Sequence, residues 1–204
     1  MGRRAERVDE TRERITEAAV RLHTTVGPSR TSIASIAEAA GVTRLTVYRH
    51  FADLDAVFDA CMAHWAAQNP RPDADAWRAI PDLEPRARRA FEDLYGWFAE
   101  HTDDLEPINR DLAAIPASAR ARREAASRAQ ADAIVIGPVP HPGPPSRRAL
   151  AVARHLVDYG TWRSLAVDQG LGKGEVVEVA VRMLLSVTPE DHARDEPRGR
   201  RSSA

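Results

Sequence analysis

An all-α fold is predicted for this chain, and three observations predict it. Apolar residues recur at i, i+3, i+4 and i+7 in almost every segment, the spacing of one helix face. Stop signals such as Gly27-Pro28, Gly41 and a Pro-rich stretch at 137–146 divide those segments. Aromatics make up only 5% of residues against 43% apolar, so the core is built mostly of Ala, Leu, Val and Ile.

The first helix runs from Asp9 to Val26, with Ile15, Ala18, Ala19, Leu22 and Val26 on one face. Thr31 or Ser32 is placed to cap a short second helix whose inner face is Ile33, Ile36, Ala37 and Ala40. Gly41 ends it where left-handed backbone is easiest, and Val42 plugs the turn. Thr43 caps a third helix reaching His50, and Asp53 caps a fourth with Leu54, Val57, Phe58, Cys61 and Trp65 along one side. After a break at 69–77 the pattern resumes near Leu83, with Ala87, Phe91, Leu94, Tyr95 and Phe98 inward. A short helix over 104–115 ends at Pro116, and another covers 117–136, where the Ala/Arg content leaves the buried face undefined. Five prolines in the ten residues 137–146 make a loop. Two helices, 146–168 and 173–187, finish the fold, and the polar tail from Thr188 reads as disordered. The predicted organisation is a helix-turn-helix unit at 1–52, a helical body at 53–187 and a tail at 188–204.

Composition narrows the classes. Residues 1–51 hold nine Arg against six acidic residues, while the remainder holds 20 basic against 24 acidic, so only the N-terminal part is suited to a polyanion. Cys61 is the only cysteine, and no Cys/His cluster has zinc spacing, so neither an internal disulfide nor a metal site is expected. Residues 1–14 lack an apolar secretory core, and no run approaches the roughly 20 apolar residues of a membrane span. A cytoplasmic protein without cofactor is expected. Paired carboxylates, a nucleophile with its base and a phosphate loop are all missing, so no enzyme is expected.

The stretch "GVTRLTVYRHF" at 41–51 carries the chemistry. Two short helices joined by a tight Gly turn, the second rich in donors, read as a helix-turn-helix, which sets its second helix in the DNA major groove. Ile36, Ala37, Val42, Val47 and Phe51 confine the apolar residues to one side. Arg44 is placed to read a guanine edge, Thr46 a thymine methyl or a phosphate, and Thr43, Tyr48 and His50 the backbone phosphates. Arg49 is placed in solvent or beside the phosphates rather than at the bases.

"TSIASIAEAAGVTRLTVYRHF" at 31–51 resembles the DNA-binding segment of TetR-family transcriptional regulators, and the similarity extends from Ile15 to Val57. The resemblance implies a homodimer, a DNA operator as partner, a small-molecule effector bound in the body, and release of DNA when it binds. By position it makes Thr31 or Ser32, Thr43, Arg44, Thr46, Tyr48 and His50 DNA-contacting. Two positions depart from the family pattern: Leu45 replaces a small residue or proline, and Leu54 replaces a phosphate-gripping lysine.

In the body, Phe91, Tyr95, Phe98, His101, His155, Tyr159 and Trp162 are the candidate effector contacts, since ligand sites are mainly apolar with a few polar groups. The dimer interface is expected on the last two helices, around Gly160, Thr161, Ser164, Ala180 and Leu184. The reading is a ligand-responsive repressor. The alternative is an interaction protein whose helix-turn-helix head binds another regulator, because Leu45 and Leu54 put apolar surface where DNA would lie.

Overall fold

A computed structural model describes residues 2–138 and 145–188, with side chains from residue 8 onward. It is all-helical, with no strand among the described residues. Helix α1 spans Gly2–Thr25, seven residues further toward the N-terminus than its apolar periodicity reaches. Helices α2 (Ile33–Ala39), α3 (Arg44–His50) and α4 (Leu54–Gln68) follow, capped by Ser32, Thr43 and Asp53. Thr31 is not the cap. It is buried, and its hydroxyl donates to the Gly27 carbonyl at 2.9 Å.

The turn between α2 and α3 is a Schellman motif: the Gly41 amide donates to Glu38 and the Val42 amide to Ala37. Gly41 has φ +65°, which explains the glycine. Ile15, Ala19, Ile36, Ala37, Val47, Phe51, Val57 and Cys61 form the small core beneath these helices, so α4 belongs to it as much as α1–α3 do.

The body is built on α6 (Leu83–Glu100), whose Phe91, Leu94, Tyr95 and Phe98 are all essentially inaccessible. Ahead of it comes α5 (Ala74–Arg78), a short helix inside the expected break. Asp73 caps it, and Trp77 is buried with its indole N–H on Asp93 at 2.9 Å. Two flanking prolines hid this element in the sequence. Helix α7 is Thr102–Arg110, earlier and shorter than the expected 104–115, because the chain tightens into a 3₁₀ turn at Leu112–Ala114. Helix α8 follows at Ala117–Val135.

The helix expected over 146–168 is three pieces: α9 (Arg147–Leu156), α10 (Tyr159–Arg163) and a π-helical turn at Ser164–Asp168. Asp158 causes the break by capping α10, and the Tyr95 hydroxyl takes the freed Leu156 carbonyl at 2.9 Å. Helix α11 (Lys173–Leu185) packs along α6. Its Ala180 and Leu184 are fully buried in this chain's own core, so they are not free to form a dimer surface. The expectations for the tail beyond Thr188, and for most of the Pro-rich loop, lie outside the described residues.

Candidate functional site

Helix α3 stands on two buried anchors, Val47 and Phe51, and turns its other sides outward. Arg44, Tyr48 and Arg49 are exposed, Tyr48 at 54%; Thr46 and His50 are half-exposed. The Thr43 hydroxyl accepts the Thr46 amide at 3.2 Å and lies 2.9 Å from the Thr46 hydroxyl, so the N-terminal turn is fixed before any partner arrives. Ser32 is exposed beside this surface at the start of α2, where it forms a reciprocal cap with Ser35. Thr31 points inward and holds the preceding turn instead. The two leucines that depart from the pattern are both at the surface, Leu45 62% exposed and Leu54 37%.

One residue of this surface escaped sequence reasoning. The Arg12 guanidinium donates to the His50 carbonyl at 2.6 Å and lies 4.2 Å over the Phe51 ring. It therefore serves the C-terminal end of α3, where a cation meets the negative pole of the helix. Nothing in an arginine-rich sequence separates Arg12 from Arg14.

The head is joined to the body by a polar seam and a buried pair. Asp111, just past α7, accepts the Ser29 hydroxyl at 2.6 Å and the Ser29 amide at 3.0 Å, and Arg110 donates to the Val26 carbonyl at 2.9 Å. Arg110 and then Ser29 hold the Asp111 carboxyl well below the usual carboxylate range. Gly27, with φ +92°, fits here because a Cβ would meet Asp111 Oδ2 at 2.3 Å. Beneath the seam, His23 and Cys61 meet at 3.0 Å, both buried. Burial lowers the imidazole pKa to about 4 and, aided by Asp59, pushes the thiol up to about 12.

In the body, five of the seven candidate contacts are gathered into one aromatic cluster. Phe91 stacks on Tyr95 at 5.4 Å, Tyr95 on Phe98 at 6.4 Å, and Phe98 meets Tyr159 and Trp162 at 5.5 and 5.8 Å. His101 adjoins it, stacked on Trp97 at 4.8 Å and bonded to Asn69. His155 is not with them. It is exposed and lines an open groove of about 350 Å³ together with Asp158, Gly160, Thr161, Ser164, Leu165 and Met183.

Together these define a class: a helix-turn-helix head with an exposed second helix, carried on an all-helical body. Residues 15–61 match the model of the bacterial regulatory proteins, tetR family. The HTH-type transcriptional regulator AcrR of Shigella flexneri is 49% identical over 49 residues, 24% of this chain and 23% of that protein. The match thus spans about a quarter of the curated relative's length. Among solved structures, a tetR-family transcriptional regulator from Streptomyces coelicolor aligns with TM-score 0.56 and 20% identity over 90% of this chain and 91% of its own. The multidrug binding protein EbrR, complexed with imidazole, aligns with TM-score 0.55 and 21% identity over 90% and 98%. Residues 15–61 are thus similar to the DNA-binding segment of the tetR family, and for the body the likeness is one of fold alone. No helix among the described residues is long and apolar enough to cross a membrane.

Proposed function

We propose that this protein is a dimeric, ligand-responsive DNA-binding transcriptional regulator, a repressor that a small effector releases from its operator. The observation that carries the reading is the outward face of α3, where Arg44, Tyr48 and Arg49 are exposed above two buried anchors. Arg44 reads a base edge, while Ser32, Thr43, Thr46, Tyr48, Arg49 and His50 grip backbone or flanking positions; Thr31 acts through the turn it holds. Residues 1–52 serve DNA, and 53–187 serve the effector and the second copy. The outer side of the π-helical turn and α11 supports dimerisation, since Val167 and Met183 are 52% and 40% exposed there. The fold also supports an effector: a solved structure that it resembles is of a multidrug binding protein complexed with imidazole.

The mechanism is linkage. An effector that prefers the state in which the two heads are wrongly spaced weakens DNA binding by that preference and no more. Two half-sites on one side of B-DNA lie roughly 34 Å apart, so a few ångströms at α4 are enough. The test is fluorescence anisotropy of the intact protein on DNA from upstream of its own coding region, with sedimentation in parallel. Saturable, salt-sensitive binding by a dimer is expected.

A second reading rests on Leu45, which leaves the head with an exposed apolar side chain next to Tyr48. It makes the head a protein-docking surface. No DNA binding at low salt by a folded dimer would favour it.

A further inference from the structure

The middle of α8 carries side chains that packing does not explain. Its inward positions run Ala119, Arg123, Ser127, Gln130, Ala131 and Ile134 in helical phase. A helix laid on a core presents an apolar stripe there. Here Arg123 is half-buried and Gln130 only 5% exposed.

Arg71, from the α4–α5 connection, comes to the same place. Its guanidinium donates to Gln130 Oε1 at 3.2 Å and lies 5.1 Å over the Trp97 ring. Arg123 donates to Asn109 Oδ1 on α7. Elsewhere in the body Arg88, Arg89, Arg163 and Arg182 each meet a carboxylate. Arg71 and Arg123 meet none within salt-bridge distance among the described residues.

Desolvation, and after it the Arg123 charge, pulls the Arg71 pKa down; desolvation lowers that of Arg123 too, against the opposing charge of Asp158. Arg71 nevertheless keeps much of its surface in solvent. Its guanidinium packs against Gln130 and the Trp97 ring while the residue as a whole stays exposed, so the site lies at the edge of the core. A second, independent feature adjoins it. Trp97 is 7% exposed, and its indole N–H is buried with no acceptor among the described residues. Buried donors in native proteins are rarely left so.

The charges select the ligand. Two guanidinium groups are held here by neutral oxygens, Arg71 by Gln130 and Arg123 by Asn109, so an anion is what the pair lacks. A carboxylate presents two oxygens in one plane, which matches the planar guanidinium fork. The Trp97 ring is already covered by Arg71 at 5.1 Å and by the stacked His101 at 4.8 Å, so what it leaves for a ligand is its unpartnered indole N–H. Resting on the ligand-responsive reading above, we propose that the effector is an organic carboxylate with an apolar body, its carboxylate held by Arg71 and Arg123 and within reach of the unpartnered Trp97 indole N–H.

The placement also supplies a route to the head. Asn109, which Arg123 holds, is followed directly by Arg110 and Asp111, which grip Val26 and Ser29. Arg122, the residue before Arg123 on α8, is paired with Asp59 of α4. A carboxylate that draws Arg123 from Asn109 therefore acts on both connections.

The experiment uses the intact protein with benzoate, 2-naphthoate and indole-3-acetate, each against its uncharged amide. Binding is read by Trp fluorescence and by the rise in Tm. At least one acid is expected to bind about tenfold or more tighter than its amide, as charge-assisted pairing to arginine requires. Arg71→Gln with Arg123→Gln should erase that preference, and Trp97→Phe, which keeps an aromatic ring of smaller size and removes the N–H, should weaken the acid several-fold. Circular dichroism confirms that the variants are folded. No acid preferred over its amide, or a preference that survives the double Gln variant, overturns the proposal. An acid that binds through the pair without altering operator affinity upholds the site and retires the ligand-responsive reading. DNA release by an amide equally in wild type and double variant does the reverse.

Discussion

The head and the body use the same residue type in opposite ways. In the head, Arg44 and Arg49 are exposed and engage no acceptor among the described residues. In the body, Arg86 is 3% exposed and donates to the carbonyls of Ile134, Ile80 and Pro81 at 2.6–2.8 Å. It ties the end of α8 to the start of α6, its donors taken up by main-chain carbonyls. Arg71 and Arg123 stand between these cases, held by neutral oxygens that a carboxylate could replace. A donor serves a partner only as far as its own fold has not already used it.

The contrast can be broken in four places, the largest effect first. Phe91→Ala in the stacked body core should cost about 3–5 kcal/mol by chemical denaturation, as buried Phe truncations do. The folded fraction should keep its DNA affinity; a loss of affinity at full folding would mean that the core itself sets the head spacing. At the seam, the two regions share a pH dependence through His23. Above pH 6.5 the imidazole is neutral in both the folded and unfolded states and contributes no slope. Between 6.5 and about 4 the unfolded chain takes up a proton that the folded one excludes, so stability falls as pH falls. The loss levels off near 3 kcal/mol below that window, by about 1.4 kcal/mol per pH unit. His23→Asn should flatten this part of the profile; an unchanged profile would place the titrating group elsewhere.

Arg44→Ala should leave Tm unchanged and weaken specific DNA binding by about 1–3 kcal/mol, relaxing preference at one position in each half-site. Equal losses on operator and random DNA would make Arg44 a phosphate contact. The smallest effect belongs to Leu54→Lys. Leu54 is 37% exposed, so stability should move by no more than about 0.5 kcal/mol. Affinity should rise for all sequences, and the slope of log K against log salt should steepen by about 0.9 per half-site. A folded variant with an unchanged slope would favour the protein-docking reading.

The head was legible in the sequence because its signals are local. Ser32, Thr43 and Asp53 cap the helices that follow them, and Gly41 turns the chain by a conformation that glycine favours. Each signal acts within a few residues. What was missed came from distant partners. Arg12 meets His50 across 38 residues, and Tyr95 takes the Leu156 carbonyl across 61, which allows the long final helix to break at Asp158. Residues 117–136 read correctly as helix, but their inward face could not be found from periodicity because Arg123 and Gln130 occupy it. The aromatic residues grouped by spacing do meet in space, except His155, whose helical phase faces the outer groove.

The buried thiol of Cys61 has a practical consequence. It is fully inaccessible and lies 3.0 Å from His23, with its ionisation pushed up to about 12, so at neutral pH it is almost wholly protonated and a poor nucleophile. The chain therefore has a silent background for thiol labelling without removing its native cysteine. A single cysteine introduced at the exposed Ala52 would carry one spin label per head, and pulsed dipolar spectroscopy on the proposed dimer would measure head separation directly, with and without a candidate effector.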